Sequence, residues 1–355
     1  MKRLRKYLAT ALILCSLTLP AQNDSTWVGQ WITAADCQNT PNIWIILSKT
    51  VPIDQVPEPF EARIAADSKY WMWINDSLVV FEGGLKRGPN PEGTYYDVVD
   101  LSPYLKEGEN TLAVLLWYFG KDGFSHKSSG KAGFLFDARK DGVSIVSDPS
   151  WQATVYQAFQ HTGKPYPNYR PPESNIRYDA RFALPEWNTT AFKGILPPAE
   201  VLAKAGEKPF GHLVERPIPL WKDYGLRPYE QVHRAGDTLI CRLPYNCQMT
   251  PYIELEAPAG DTIRIQTDNY RGGSENNVRA EYITREGLQA YENPGWMNGH
   301  YVWYILPDGV EVKKVAFRET GYDTEFAGSI ACDDPFLNEL WKNAARTLYI
   351  TMRDT

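Results

Sequence analysis

The chain has 355 residues, 43% hydrophobic, 13% aromatic and 23% charged. That composition excludes a disordered chain and suits two or three domains, at roughly 100–200 residues each. The formal charge is −6, and beyond residue 21 the remainder carries 33 Lys and Arg against 43 acids, a net −10, which argues against nucleic acid and is compatible with a neutral ligand.

Residues 1–21 read as a signal peptide. Lys2, Arg3, Arg5 and Lys6 precede an apolar run from Leu8 to Leu19, and small residues end it at Pro20-Ala21. That pattern predicts export to the periplasm or secretion. A lipid anchor on Cys15 is the rival reading. No other stretch is apolar for long enough to insert in a membrane.

From 22 to 160 the pattern is that of a first β-sandwich. FEARIAAD (60–67) places Phe60, Ala62, Ile64 and Ala66 on one face. YWMWINDSLVVFEG (70–83) predicts a hairpin that turns at Asn75-Asp76, residues tolerant of left-handed dihedrals. In 95–120, Leu101–Lys106 reads as a short helical turn or loop, Gly108-Glu109-Asn110 as a turn, and Thr111–Phe119 as an apolar strand. LFDARKDGVSIVSD (135–148) predicts a hairpin turning at Asp141-Gly142. Residues 161–226 are rich in Pro and poor in periodicity. They read as a connecting region that finishes the first sandwich and crosses to the next.

A second β-sandwich is expected over 227–332. Its strands are DTLICRLPYN (237–246), TPYIELEAP (250–258), DTIRIQTDNY (261–270), HYVWYILPDG (300–309) and VEVKKVAFRETGYD (310–323), with turns at Pro258–Asp261 and Pro307–Gly309. At 333–355 the period changes. Asp334 caps and Pro335 opens a helix, with Leu337, Leu340, Trp341, Ala344, Leu348 and Met352 on one stripe. That stripe needs a partner. Either the helix lies on the second sandwich, or it begins an α-helical domain that this chain does not include. The fold class is therefore mainly β, two sandwiches followed by a helix.

Glycoside hydrolysis takes two carboxyl groups, about 5–5.5 Å apart for retention or about 6.5–9.5 Å for inversion. The acids Glu319, Asp323 and Glu325 share a strand face, but Glu319 and Asp323 would be about 13 Å apart at roughly 3.3 Å per residue. Asp323 and Glu325 are nearer, at about 7 Å by the same rise. A solvated surface row, paired with Arg318 or Lys neighbours, explains them better. Helix capping likewise explains Asp334 in Asp333-Asp334 better than a metal pair does. Trp71 and Trp73, on the strand face opposite Met72 and Ile74, form a candidate sugar platform, against the plainer reading of packing. Tyr95, with Tyr96 and the Asn90-Pro91 loop, is a further candidate for a ligand cleft. The loop GGSEN (272–276) lacks phosphate-loop spacing. No C-x-x-C occurs and the five His are scattered, so no metal or cofactor is expected. Beyond Cys15 the cysteines are Cys37, Cys241, Cys247 and Cys332. Cys241 and Cys247 are close enough in sequence for a disulfide, and isolated buried thiols are the other reading.

YYDVVDLSPYLKEGENTLAVLLWY, with Asp97-Val98 and then Leu105-Lys106-Glu107-Gly108-Glu109-Asn110, resembles the galactose-binding-like jelly-roll domains attached to glycosidases. RAEYITREGLQAYENPGWMNGHYVWYILP (279–307), RETGYDTEFAG (318–328) and DDPFLNELWKNAARTLYITMRDT (333–355) together resemble bacterial α-L-rhamnosidases of glycoside hydrolase family 78. The resemblance implies β-sandwiches before an (α/α)6 toroid, of which 333–355 would be the first helix. It implies an inverting hydrolase of terminal α-L-rhamnosides, with a carbohydrate as its partner. The family's Asp-Cys-Pro and Arg-Glu motif falls beyond the segment matching Met352–Thr355. No catalytic residue is therefore expected in this chain, and Asp354 takes no role. A stand-alone secreted carbohydrate-binding protein is the alternative.

Overall fold

The structure is a computed structural model that describes residues 27–84, 93–122, 126–162, 175–270 and 278–352. Residues 1–21, expected to be a signal peptide and including Cys15, together with Asn90-Pro91, the 272–276 loop and Asp354, lie outside the described residues. In chain order the strands are β1 (Gln30–Thr33), β2 (Ile43–Ile53), β3 (Glu61–Asp67), β4 (Lys69–Ile74), β5 (Ser77–Gly84), β6 (Thr94–Asp100), β7 (Gly108–Tyr118), β8 (Gly133–Lys140), β9 (Val143–Val146), β10 (Gln152–Val155), β11 (Phe159–His161), β12 (Ile176–Asp179), β13 (Glu200–Lys204) and β14 (Leu213–Glu215). They continue with β15 (Trp221–Arg227), β16 (Gln231–Ala235), β17 (Thr238–Ala257), β18 (Thr262–Thr267), β19 (Ala280–Ile283), β20 (Gly287–Glu292), β21 (Met297–Ile305) and β22 (Glu311–Tyr322), and then the helix α1 (Pro335–Thr351).

The first sandwich packs a seven-stranded sheet, β13-β1-β8-β3-β6-β14 with β9 on β8, against a five-stranded sheet, β10-β2-β7-β4-β5. Alternation explains the core between them. Phe60, Ala62, Ile64 and Ala66 point inward with Met72, Ile74, Val114, Leu116, Phe134, Phe136 and Trp151. The expected hairpins form, and Asn75, Asp76 and Asp141 adopt the positive φ values of 47°, 73° and 50° that their turns require. The Pro-rich region divides between the two units. β13 joins β1 and β14 runs parallel to β6, completing the seven-stranded sheet, whereas β11 and β12 extend the second sheet. Arg216, just past β14, fastens that return through a buried ion pair to Asp97 at 3.0 Å.

The second unit is a ten-stranded sheet, β11-β12-β19-β18-β21-β17-β22-β15, with β16 and β20 also on β17. The two strands expected at 237–246 and 250–258 are one 20-residue strand. It changes partners midway: Thr238–Met249 pairs with β21, Gln248–Glu256 with β22. The sheet therefore folds over a single core that includes Leu243, Met249, Ile253, Ile263, Ile265, Val302, Tyr304 and Phe317.

A separate aromatic cluster lies on the outer face of the five-stranded sheet, where Trp44, Trp71, Trp117 and Phe119 meet Tyr156, Phe159 and Ile176, and it continues to Trp221 and Tyr322 of the second unit. Trp44 is its hub, stacked on Phe159 at 3.9 Å and on Trp117 at 4.2 Å. The four cysteines within the described residues are free thiols, so Cys241 and Cys247 are not bridged. Burial pushes both of those thiols up to about 12. No helix among the described residues is long and apolar enough to cross a membrane.

Candidate functional site

Trp71 and Trp73 lie on the outer face of β4, as the inward burial of Met72 and Ile74 requires. Trp71 is only 3% exposed, locked between Trp44, Phe81 and Trp117, so it offers no free face to a sugar. Trp73 is half-buried and meets the edge of Trp187 at 5.3 Å. Trp187 belongs to a strap that Asp76 pins by accepting from the Thr190 amide (2.5 Å) and hydroxyl (2.9 Å). Tyr95 is half-buried on β6, in the other sheet. The structure thus brings the two tryptophans to one covered face and places Tyr95 elsewhere.

At one end of the first sandwich Asp67, Ser68 and His126 come together, a constellation invisible in the sequence. Ser68 Oγ accepts from the Phe119 amide (3.0 Å) and donates to Asp67 Oδ1 (2.9 Å). His126 Nε2 lies 3.3 Å from that hydroxyl oxygen and 3.6 Å from Asp67 Oδ1. All three residues are buried. Beside them Lys69 and Glu82 form a buried ion pair at 2.5 Å. The arrangement is structural: it satisfies polar groups where the strands end.

Of the three acids expected on one strand face only Glu319 lies on β22; the strand ends at Tyr322, so Asp323 and Glu325 fall beyond it. Asp323 bonds Lys222 at the surface (3.0 Å), and Glu325 is exposed. Arg318 goes to Glu292 and Asp223. Glu319 is not part of a solvated row: its side chain is 5% exposed and held by Arg227 at 2.7 Å and Arg346 at 3.4 Å. Sequence spacing placed it correctly on a strand face but could not show that α1 covers that face. The Tyr245 hydroxyl also donates to Glu319, at 3.0 Å, and burial together with that carboxylate pushes the hydroxyl's pKa up, which keeps it a donor. Asp334 caps α1, accepting from the Phe336 amide at 2.8 Å, as its position predicts. No cluster of metal-ligating side chains occurs among the described residues.

Around Glu319, α1 meets the second unit. Arg346 donates from Nε and Nη2 to the Asn246 carbonyl (3.2 and 2.8 Å) and lies 4.1 Å over the Tyr245 ring. The Tyr349 hydroxyl donates to the Tyr322 carbonyl (3.0 Å) and accepts from Tyr224 (2.8 Å). Gln248 Nε2 donates to the Ile350 carbonyl (2.6 Å) and the Met352 carbonyl (3.2 Å). The half-buried row is Asn338, Trp341, Ala345, Tyr349 and Met352, with Arg346 and Ile350 beside it; Asn338 bonds the Cys332 carbonyl ahead of the helix rather than the sheet. The predicted apolar stripe is mostly a different one. Leu337, Leu340 and Leu348 are 47%, 51% and 56% exposed, and Phe336 is 69% exposed. At about 100° per residue the two rows are centred roughly a quarter-turn apart. What this site can do is hold and present a helix.

The sequence matches no family model and no curated protein. Solved structures do share the fold. The family 78 rhamnosidase of Bacillus sp. GL1 superposes with a TM-score of 0.76 at 16% identity, over 93% of this chain and 59% of that one. The α-L-rhamnosidase of Aspergillus terreus gives 0.66 at 19% identity, over 91% and 39%. That of Streptomyces avermitilis, solved with L-rhamnose, gives 0.65 at 17%, over 86% and 31%. The chain spans between 31% and 59% of the length of these three proteins. Its fold, two β units ending in one docked helix, is that of the N-terminal part of family 78 α-L-rhamnosidases.

Proposed function

We propose that this chain is the accessory region of an exported α-L-rhamnosidase-like hydrolase of family 78. It would support a helical catalytic layer that releases terminal α-L-rhamnose with inversion, one carboxylic acid protonating the leaving oxygen while a second carboxylate activates water. The observation that carries this reading is the bare leucine row of α1, on a helix already seated against the second unit. A helix with apolar residues on both of two neighbouring sides suits the boundary between a sheet and a further helical layer. The shared fold supports the same placement. The test is the product of the complete reading frame that contains this region. It should release L-rhamnose from nitrophenyl α-L-rhamnoside, with NMR showing the inverted anomer first. Residues 22–355 alone should give no turnover. Turnover by that fragment, or none by a product carrying a helical domain after Thr355, would overturn the reading.

A second reading, a stand-alone carbohydrate-binding protein, draws on a cleft of about 750 Å³ at the rim of the first sandwich. Gln55, Glu58, Glu107 and Asp141 line it with acceptors for hydroxyl groups, and Val56 and Leu105 supply apolar surface for sugar C–H faces. Glycan-array binding by residues 22–355, lost on Glu107→Ala, separates it from the first.

A further inference from the structure

Why does α1 not roll by about a quarter-turn and bury its leucines? Apolar contact is non-directional and scales with area: Leu337, Leu340 and Leu348 are left 47%, 51% and 56% exposed while Trp341, Ala345, Tyr349 and Met352 take the half-buried row, and with large apolar side chains on both rows area alone does not choose between them. What distinguishes the present roll is its directional bonds. We propose that Glu319, Arg346, Tyr349 and Gln248 form a polar clamp that fixes the roll and direction of α1, which makes them positioning residues for whatever covers its outer row. That the covering layer is catalytic rests on the accessory reading above; the mechanics of the clamp belong to this chain alone.

The clamp grips one end. Every bond described above between α1 and the sheet comes from Arg346 to Met352, while Phe336 to Leu340 contribute exposed apolar side chains. Rolling the helix would strip Arg346 from Glu319 and from the Asn246 carbonyl. It would also leave the Gln248 amide, 2% exposed, without the two carbonyls it now caps. Buried polar groups that lose partners cost more than the partners contribute when present. Gly321 completes the clamp on the strand side. A methyl group there would collide with the Tyr349 hydroxyl, so the helix sits against bare backbone.

Thiol labelling reads the roll directly. Leu340→Cys reports the outer row and Ala345→Cys the sheet-facing row, with rates followed peptide by peptide in the full chain by mass spectrometry. In the otherwise native protein Cys at 340 should react severalfold faster than Cys at 345, since one site is exposed and the other half-buried against the second unit. In Arg346→Met combined with Tyr349→Phe, the ratio should fall toward one while the melting of the sheets stays unchanged. Arg346→Lys, which keeps the charge near Glu319 but not the two-pronged bond to Asn246, should restore an intermediate ratio. Gly321→Ala displaces Tyr349 without removing a charge and should act like the double variant, which covers the case in which that variant fails to fold. A ratio near one in the native chain, or one unchanged in both Gly321→Ala and the double variant, overturns the clamp. Failure of the complete protein to act on rhamnosides would leave this ratio untouched and would count only against the accessory reading.

Discussion

The molecule has two junctions, and they are made of opposite materials. Between the two β units lies an aromatic seam, with Trp44, Trp71, Trp117 and Phe119 facing Phe159, Trp221 and Tyr322. Between the second unit and α1 lies a set of directional bonds from Arg346, Tyr349 and Gln248, flanked by leucines left in the open. The seam joins surfaces by area and shape, so its strength is spread over many atoms and its geometry follows from packing. The helix junction buries little, and its geometry follows from where donors and acceptors stand. One junction is suited to holding two bodies as a unit, the other to aiming an element that has further surface to offer.

The largest effect should come from breaking the seam at its hub. Trp44 is 1% exposed and stacks on Trp117 and Phe159. Trp44→Ala should cost about 3–5 kcal/mol, and calorimetry should show the two units melting separately where they melted together. If Trp44→Ala lowers stability by less than about 1 kcal/mol, the seam is not what joins them. A polar layer just beyond the seam gives the next effect. Glu281 bridges Arg177 of β12 and Arg279, each at 2.6 Å. Burial raises its pKa, but the two guanidinium groups outweigh burial and hold the carboxyl below the usual range. A depressed folded-state value adds stability above the unfolded pKa of about 4.3, and that stability is lost as pH falls below it. Glu281→Gln should cost about 3 kcal/mol at neutral pH, because it removes the carboxylate charge that both guanidinium groups face in a buried site, and should flatten the acid limb of the stability profile.

The contrast between the junctions also marks what the sequence could say. Local chemistry was legible: the turns at Asn75-Asp76 and Asp141-Gly142, the inward row from Phe60 to Ala66, and the Asp334-Pro335 start of α1 all follow from residues within a few positions of one another. Both junctions are built from residues far apart in the chain. Trp44 meets Phe159 and Arg346 meets Glu319 only after the sheets have formed, and no period in the sequence announces either. The spacing of Trp71 and Trp73 gave the correct outer face of β4, but the strap that covers it arrives from beyond Tyr156. For Glu319, the row of like-facing acids suggested solvent, while the burying element lay 27 residues on. The helical period found one apolar stripe on α1, and the polar bonds chose a neighbouring row for the sheet.

At the clamp the expected energies are smaller, as the comparison requires. Glu319 is buried, but Arg227 and Arg346 are 40% and 33% exposed, so solvent screens both partners. Glu319→Gln should cost about 1 kcal/mol in global stability. Its larger effect should appear in hydrogen exchange, with the amides of 346–351 losing protection while those of β17 and β22 keep theirs. Equal loss across helix and strands would mean that Glu319 serves the sheet rather than the aim of α1.

The smallest effect is the most discriminating. Leu340→Ser with Leu348→Ser removes apolar surface from side chains that are 51% and 56% exposed in this chain, so stability should change by no more than about 0.5 kcal/mol. A core role would predict several times that loss, since burying each leucine is worth about 1.5–3 kcal/mol. The same pair placed in a protein that carries a helical layer should have the opposite weight, because serine hydroxyls would then be buried without partners. A thermal melt of residues 22–355 beside one of the complete product measures both. A shift confined to the complete product means that the outer row is an interface. An equal shift in both means that the leucines already pack against the second unit, and that the helix is seated differently from the way its polar bonds imply.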